Sequence, residues 1–270
     1  MLLTPLKISW FSTFLLLAFG GLAQSGISVN NGKLFFDPFP GQEQTQQLLI
    51  ANSGNQPITL QSNFMDWKRD SLGIKHYADA ATLAHSCASW VTVNPPNIVI
   101  PANGKATVEV TVKAPDDFDV AAGVQNTMLF LRQLKNTIPA AGANQLQSSI
   151  QTVFQIGVHV YYTHPALVNK AMIINDLQYA DGEKAIQLEL ENTGETILEA
   201  FMQFELTNME TGEEIKLFER SRGANFMPTD VRQFKFNLPE NIPAGKYSVT
   251  SIVDIGADQD LLLGVLEIKI

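Results

Sequence analysis

Leu48-Leu49-Ile50-Ala51-Asn52-Ser53-Gly54 returns at an offset of 140 residues as Leu188-Glu189-Leu190-Glu191-Asn192-Thr193-Gly194, and at the same offset Phe64 falls on Phe204. Each stretch places apolar residues at alternate positions, the period of a half-buried β-strand. Each then runs into Asn-x-Gly, the chemistry of a tight turn in which glycine supplies a positive φ. The repeat reads as one strand-turn-strand unit used twice, and the chain as two copies of one β architecture.

Working outward from these two units, short alternating segments recur with turn residues between them, and no window carries a sustained 3.6-residue period. In the first half the expected strands are 27–36, 46–51, 58–67, 90–93, 106–113, 127–134 and 149–162. In the second half they are 172–179, 185–191, 198–207, 214–218, 232–238, 247–254 and 262–269. Seven segments in each half equal the strand count of an immunoglobulin-like sandwich. The expected fold class is therefore all-β, two tandem immunoglobulin-like β-sandwich domains. Tyr162-Thr163-His164-Pro165 is the expected hinge, because proline ends a long strand. The charge changes there too: residues 24–163 hold 8 Lys and Arg against 9 Asp and Glu, and residues 164–270 hold 9 against 18. The expected domains are 24–163 and 164–270. Neither half offers the basic face that phosphate binding needs, so nucleic acid is excluded as a partner.

The start of the chain points to export. A weakly charged opening with Lys7 leads into the apolar stretch Trp10–Leu22 and the small-residue pattern Gly21-Leu22-Ala23. Residues 1–23 read as a cleaved signal peptide, since the stretch is too short and too interrupted by Ser12, Thr13, Gly20 and Gly21 for a spanning helix. No later run is long enough to span, so the mature chain is expected to be free of a membrane span. The single cysteine, Cys87, forms no internal disulfide and reads as a small buried hydrophobe.

Catalytic and metal constellations do not emerge. No Gly-x-Ser-x-Gly elbow organises the Ser, His and Asp residues. His76 and His85 lie nine apart, and His159 and His164 five apart, with no third ligand at metal spacing. Asp116-Asp117-x-Asp119 lacks the glycine and glutamate of an EF-hand loop and reads as a solvated acidic turn. No enzyme activity, no metal and no cofactor are expected. Trp67 and Trp90 read as core residues, which leaves no exposed aromatic cluster for a carbohydrate.

Five stretches carry a family resemblance over residues 26–165, and more loosely beyond. They are Gly26-Ile27-Ser28-Val29 with Gly32-Lys33-Leu34-Phe35-Phe36; Leu49-Ile50-Ala51-Asn52-Ser53-Gly54; Trp90-Val91-Thr92-Val93-Asn94-Pro95 with Ile98 to Lys105; Phe130-Leu131-Arg132-Gln133-Leu134; and Ile156-Gly157-Val158-His159-Val160-Tyr161-Tyr162 with Pro165. In order and spacing they resemble the periplasmic pilus (fimbrial) assembly chaperones of the chaperone-usher family. The resemblance implies two sandwiches in an L shape, a location in the periplasm of a Gram-negative cell, protein subunits of a surface fibre as partners, and an outer-membrane usher as a further one. It also implies a cleft where an Arg and Lys pair grips a client's terminal carboxylate. Those positions fall on Lys33 and His159. Lysine lacks the bidentate fork of arginine, and histidine is mostly neutral near pH 7, so retention of a carboxylate-ended client would rise as pH falls through about 6.5. The hinge is one residue longer than the family pattern, which leaves the register of His159 open, and Lys33 and His159 read equally well as ordinary strand residues.

The stretch 150–160 alternates Ile150, Thr152, Phe154, Ile156, Val158 and Val160 against Gln151, Val153, Gln155, Gly157 and His159. Ile156, Val158 and Val160 are expected in the domain's own core. By resemblance, Ile150, Thr152, Phe154 and Ile156 are the donor strand that completes a client subunit. Such an exposed row implies self-capping dimers, or disorder of this segment, in the absence of client. The alternative function is a structural or adhesive module at the cell surface that uses the same sandwiches as spacers.

Overall fold

The computed structural model describes residues 26–134, 153–218 and 223–270. The expected signal peptide and the donor positions Ile150 and Thr152 lie outside the described residues. The strands of the first half are β1 (Ile27–Val29), β2 (Lys33–Phe36), β3 (Glu43–Asn52), β4 (Ile58–Arg69), β5 (Lys75–Asp79), β6 (Val91–Asn94), β7 (Asn97–Ile100), β8 (Lys105–Lys113), β9 (Gln125–Gln133) and β10 (Gln155–Tyr162). Those of the second are β11 (Met172–Ala180), β12 (Ala185–Asn192), β13 (Leu198–Asn208), β14 (Glu214–Phe218), β15 (Ala224–Phe226), β16 (Val231–Asn237), β17 (Lys246–Asp254) and β18 (Leu262–Lys269). Three short 3₁₀ turns are the remaining regular elements among the described residues, and no helix there is long and apolar enough to cross a membrane.

Alternation builds both sandwiches. In the first domain the sheet β1-β3-β8-β6 faces the sheet β2-β10-β9-β4-β5, to which β7 adds on β4. Leu48 and Ile50 of β3, Val108, Val110 and Val112 of β8, Leu129 and Leu131 of β9 and Val158, Val160 and Tyr162 of β10 meet in one core. In the second domain β11-β12-β16 faces β14-β13-β17-β18, with β15 on β13, and Leu188, Leu190, Phe204, Phe226 and Val249 form the centre of a second core. Cys87 is buried in the first core, and burial pushes its thiol far up, as expected of an inert filler.

The Asn-x-Gly repeat holds at the level of hydrogen bonds. Asn52 is buried; its Oδ1 accepts from the Gly54 N–H at 2.9 Å and its amide donates to the Gln56 and Pro101 carbonyls. Asn192 is buried likewise, accepts from Gly194 at 3.0 Å and donates to Thr196 and Phe226. The reason for the glycine differs from the expectation, because neither Gly54 nor Gly194 has a positive φ. A Cβ on Gly194 would lie 2.7 Å from the Ala171 nitrogen and the Asn169 oxygen. Close backbone approach, rather than a left-handed turn, selects glycine there.

Residues 27–36, expected as one strand, divide. β1 pairs with β3 in one sheet, and β2 pairs in parallel with β10 in the other. The chain changes sheets at Asn30-Asn31-Gly32, which frees Lys33 to start a strand on the far side of the sandwich.

Candidate functional site

Strand β10 is held differently along its length. β9 pairs with it from Gln155 to Tyr162, whereas β2 reaches only His159 to Tyr162. The Phe154 carbonyl accepts from Gln133 of β9, and the His159 N–H donates to Gly32 on the opposite side at 3.0 Å. Backbone groups alternate in direction along an antiparallel strand. Gln155 and Gly157 therefore turn their N–H and C=O groups to the side that β2 leaves open. Ile156 packs against the first core and Phe154 is half-buried beside it, lining a groove of about 340 Å³ with Gly26, Ile27, Ile58 and Gln133.

The opposite face of β10 forms the floor between the domains. His159 and Tyr161 project there, beside Trp67 of β4 and Met128 and Phe130 of β9. Ile197 and Met227 of the second domain pack on this cluster. Trp67 is thus buried, as expected, but it is shared between the domains and is not part of the first core. Tyr161 stacks on half-exposed Phe35 at 5.2 Å, and half-exposed Tyr77 lies 5.4 Å from Phe130, so this face carries more open aromatic surface than the sequence reading allowed.

Lys33 and His159 are brought together, as partners in the parallel register of β2 and β10. Their chemistry departs from the expectation. Lys33 Nζ donates to Glu199 Oε1 at 3.2 Å and to Asn225 Oδ1, both in the second domain. His159 is buried, and burial, followed by the charges of Lys75, Arg69 and Lys33, pushes its imidazole down to about 3. The expected protonation near pH 6.5 is overturned, because an imidazolium here would be desolvated among three cations. Lys75 Nζ lies 2.8 Å from His159 Nε2 and 3.2 Å separates His159 Nδ1 from the Tyr161 hydroxyl. With Nε2 accepting from the ammonium, the proton sits on Nδ1 and points at Tyr161.

Lys75 and Arg69 are the site residues that sequence reasoning missed. They flank the β4–β5 hairpin, whose second strand was not expected because Lys75-His76-Tyr77-Ala78-Asp79 has no apolar alternation. The hairpin tip docks on the second domain: the Gln233 N–H donates to the Ser71 carbonyl at 2.7 Å. Arg69 donates to the Asn225 carbonyl at 2.8 Å and lies over the Trp67 ring, 5.2 Å from its centre. The signal that was available is Arg69-Asp70-Ser71-Leu72-Gly73, a polar turn with Gly73 at φ 87° placed between basic residues.

Beside this cluster a cleft of about 410 Å³ runs between Trp67, Arg69, His85 and Gly123 of one domain and Met227 to Asp230 of the other. Burial raises Asp230 above the ordinary carboxylate range against the opposing pull of Arg69 and Arg232. The remaining histidines are engaged in local structure. His76 pairs with Asp70 at 2.8 Å, His164 Nδ1 accepts from the Ala166 N–H at 3.1 Å, and His85 Nε2 lies 3.3 Å from the Trp67 carbonyl. Among the described residues no three His, Cys, Asp or Glu groups converge as a metal site.

No protein-family model matches the chain, and no curated protein matches it. Solved structures similar to it include the YadV chaperone, at 16% identity over 90% of this chain and 99% of that one, with a TM-score of 0.47. The CsuC–CsuE chaperone-tip adhesion subunit complex from archaic chaperone-usher Csu pili of Acinetobacter baumannii matches at 12% identity over 88% and 98%, with a TM-score of 0.48. The Salmonella enterica SafA pilin in complex with the SafB chaperone matches at 14% identity over 90% and 97%, with a TM-score of 0.44.

Proposed function

We propose that the protein is an exported, non-enzymatic assembly chaperone that binds and caps fibre subunits by lending them a strand. After removal of residues 1–23, domains 24–163 and 164–270 act in the periplasm as one L-shaped binding body, with an outer-membrane usher as a second partner. One observation carries the reading: among the described residues, the first half of β10 has no strand paired on its β2 side, next to Phe154 and Ile156. A client strand laid along Gln155 and Gly157 would take main-chain hydrogen bonds from them, and alternate side chains from Phe154 and Ile156 would enter its groove, with Ile150 and Thr152 continuing the row. An edge of this kind invites self-pairing, so a capped dimer is the expected resting form. The client's terminal carboxylate would be anchored in the interdomain cleft by Lys33, beside the neutral His159.

The test is Phe154→Asp. Phe154 is half-buried and outside the regular strand, so the variant should keep its melting temperature within a few degrees while the co-purified subunits of the wild type disappear. Loss of the fold by several kcal/mol would make Phe154 a core residue. A folded variant that keeps its partners would remove the donor role and leave the spacer or adhesive module as the reading.

A further inference from the structure

The cleft holds more positive charge than its visible partners answer. Lys33, Arg69 and Lys75 come from three strands of the first domain and converge around Trp67 and His159. Lys33 is met by Glu199, and Arg69 by the Asn225 carbonyl and the Trp67 ring. Lys75 has the neutral His159 Nε2 and, 5.8 Å away, the centre of the Trp67 ring. Among the described residues no carboxylate lies within ion-pair distance of it. An ammonium has three donors, and one is used here.

We propose that Lys75, and not His159, is the second cation of the cleft, and that its ammonium binds the carboxylate of the ligand while His159 serves as its neutral acceptor. The inference rests on the reading of the cleft as a carboxylate anchor and assigns the residue that supplies the charge. Lys75 is half-buried, and burial together with the like charges of Arg69 and Lys33 holds it below the usual lysine range. Like charges brought together out of water repel, and a shared monoanion relieves that repulsion for all of them. The position on β10 that lacks a permanent charge, His159, thereby acquires one from β5, a strand 84 residues earlier in the chain. Lysine on a flexible stem suits this use, since it can leave one acceptor and turn to another.

The probe is a minimal pair, N-acetylglycine with a free carboxylate and N-acetylglycinamide without one, titrated into the purified protein. Binding is read from the indole fluorescence of Trp67 and from the shift of the Lys75 ε-methylene and ammonium resonances, which needs no variant. The proposal expects the carboxylate to bind in preference to the amide and to move the Lys75 signals. It further expects Lys75→Met to weaken carboxylate binding by about tenfold or more, Lys75→Arg to restore most of it, and the melting temperature to stay near that of the wild type. If the carboxylate binds but leaves the Lys75 resonances and the Lys75→Met affinity unchanged, the assignment of Lys75 falls and the anchor reading stands on other residues. If the native protein does not distinguish the acid from the amide, the anchor reading itself falls, and Lys75 with it.

Discussion

The two halves of β10 share one alternating pattern and one partner strand, β9, yet they live in different surroundings. From Val158 to Tyr162 every side chain is buried: Val158, Val160 and Tyr162 in the first core, His159 and Tyr161 under the second domain. From Gln155 to Gly157 the outward residues Gln155 and Gly157 are exposed, and among the described residues the backbone lacks a neighbour on the β2 side. Side-chain pattern alone does not separate a structural strand from one available to a partner. Termination of the flanking strand does, because a missing neighbour leaves N–H and C=O groups that another chain can satisfy.

The sharpest way to break the comparison is to place one charge in each half. Val160→Asp buries an unpaired carboxylate in a fully enclosed core and should cost about 4 kcal/mol or more, whereas Ile156→Asp, partly open, should cost about 1–2 kcal/mol. Equal losses in urea unfolding would mean that the halves are equally enclosed. A smaller effect is expected of Gln155→Pro. Its N–H faces the open side, so stability should change by less than about 1 kcal/mol, while removal of that donor should weaken client capture by about tenfold. If stability drops as it would for a proline in a central strand, the edge at Gln155 is closed. The smallest effect at neutral pH concerns His159→Gln in the enclosed half. The imidazole titrates near 6.5 when unfolded and is pushed down to about 3 when folded. The unfolded chain therefore binds the extra proton between these values, so this group's contribution to stability is complete above about 6.5 and is lost as pH falls toward about 3. The variant should flatten the fall in unfolding free energy over that window, by at most about 1.4 kcal/mol per pH unit. Parallel curves for wild type and variant would place His159 in contact with water.

Much of the fold was legible because β alternation is local. The strand expected at 198–207 is observed as Leu198–Asn208, and that at 185–191 as Ala185–Asn192. What escaped notice was short or polar. β5 has no apolar alternation, β7 and β15 are only 4 and 3 residues long, and β1 and β2 read as one run although the polar Asn30-Asn31-Gly32 between them marks the change of sheet. The Asn-x-Gly units were found for their chemistry, but Gly194 serves backbone approach, which depends on Asn169 and Ala171 lying across from it.

The candidate site divides in the same way. Lys33, His159, Phe154 and Ile156 could be named only through the family resemblance, and the pairing of Lys33 with His159 is a matter of the parallel register of β2 and β10. That His159 stays neutral, that Lys75 stands 2.8 Å from it, and that Glu199 and Asn225 hold Lys33 came only with the tertiary structure. The physical reason is that alternation is written into a backbone with a period of two, so faces are set residue by residue. Which charges meet depends instead on the register of strands far apart in sequence and on how one sandwich docks on the other, where a slip of one residue would turn each side chain to the opposite face.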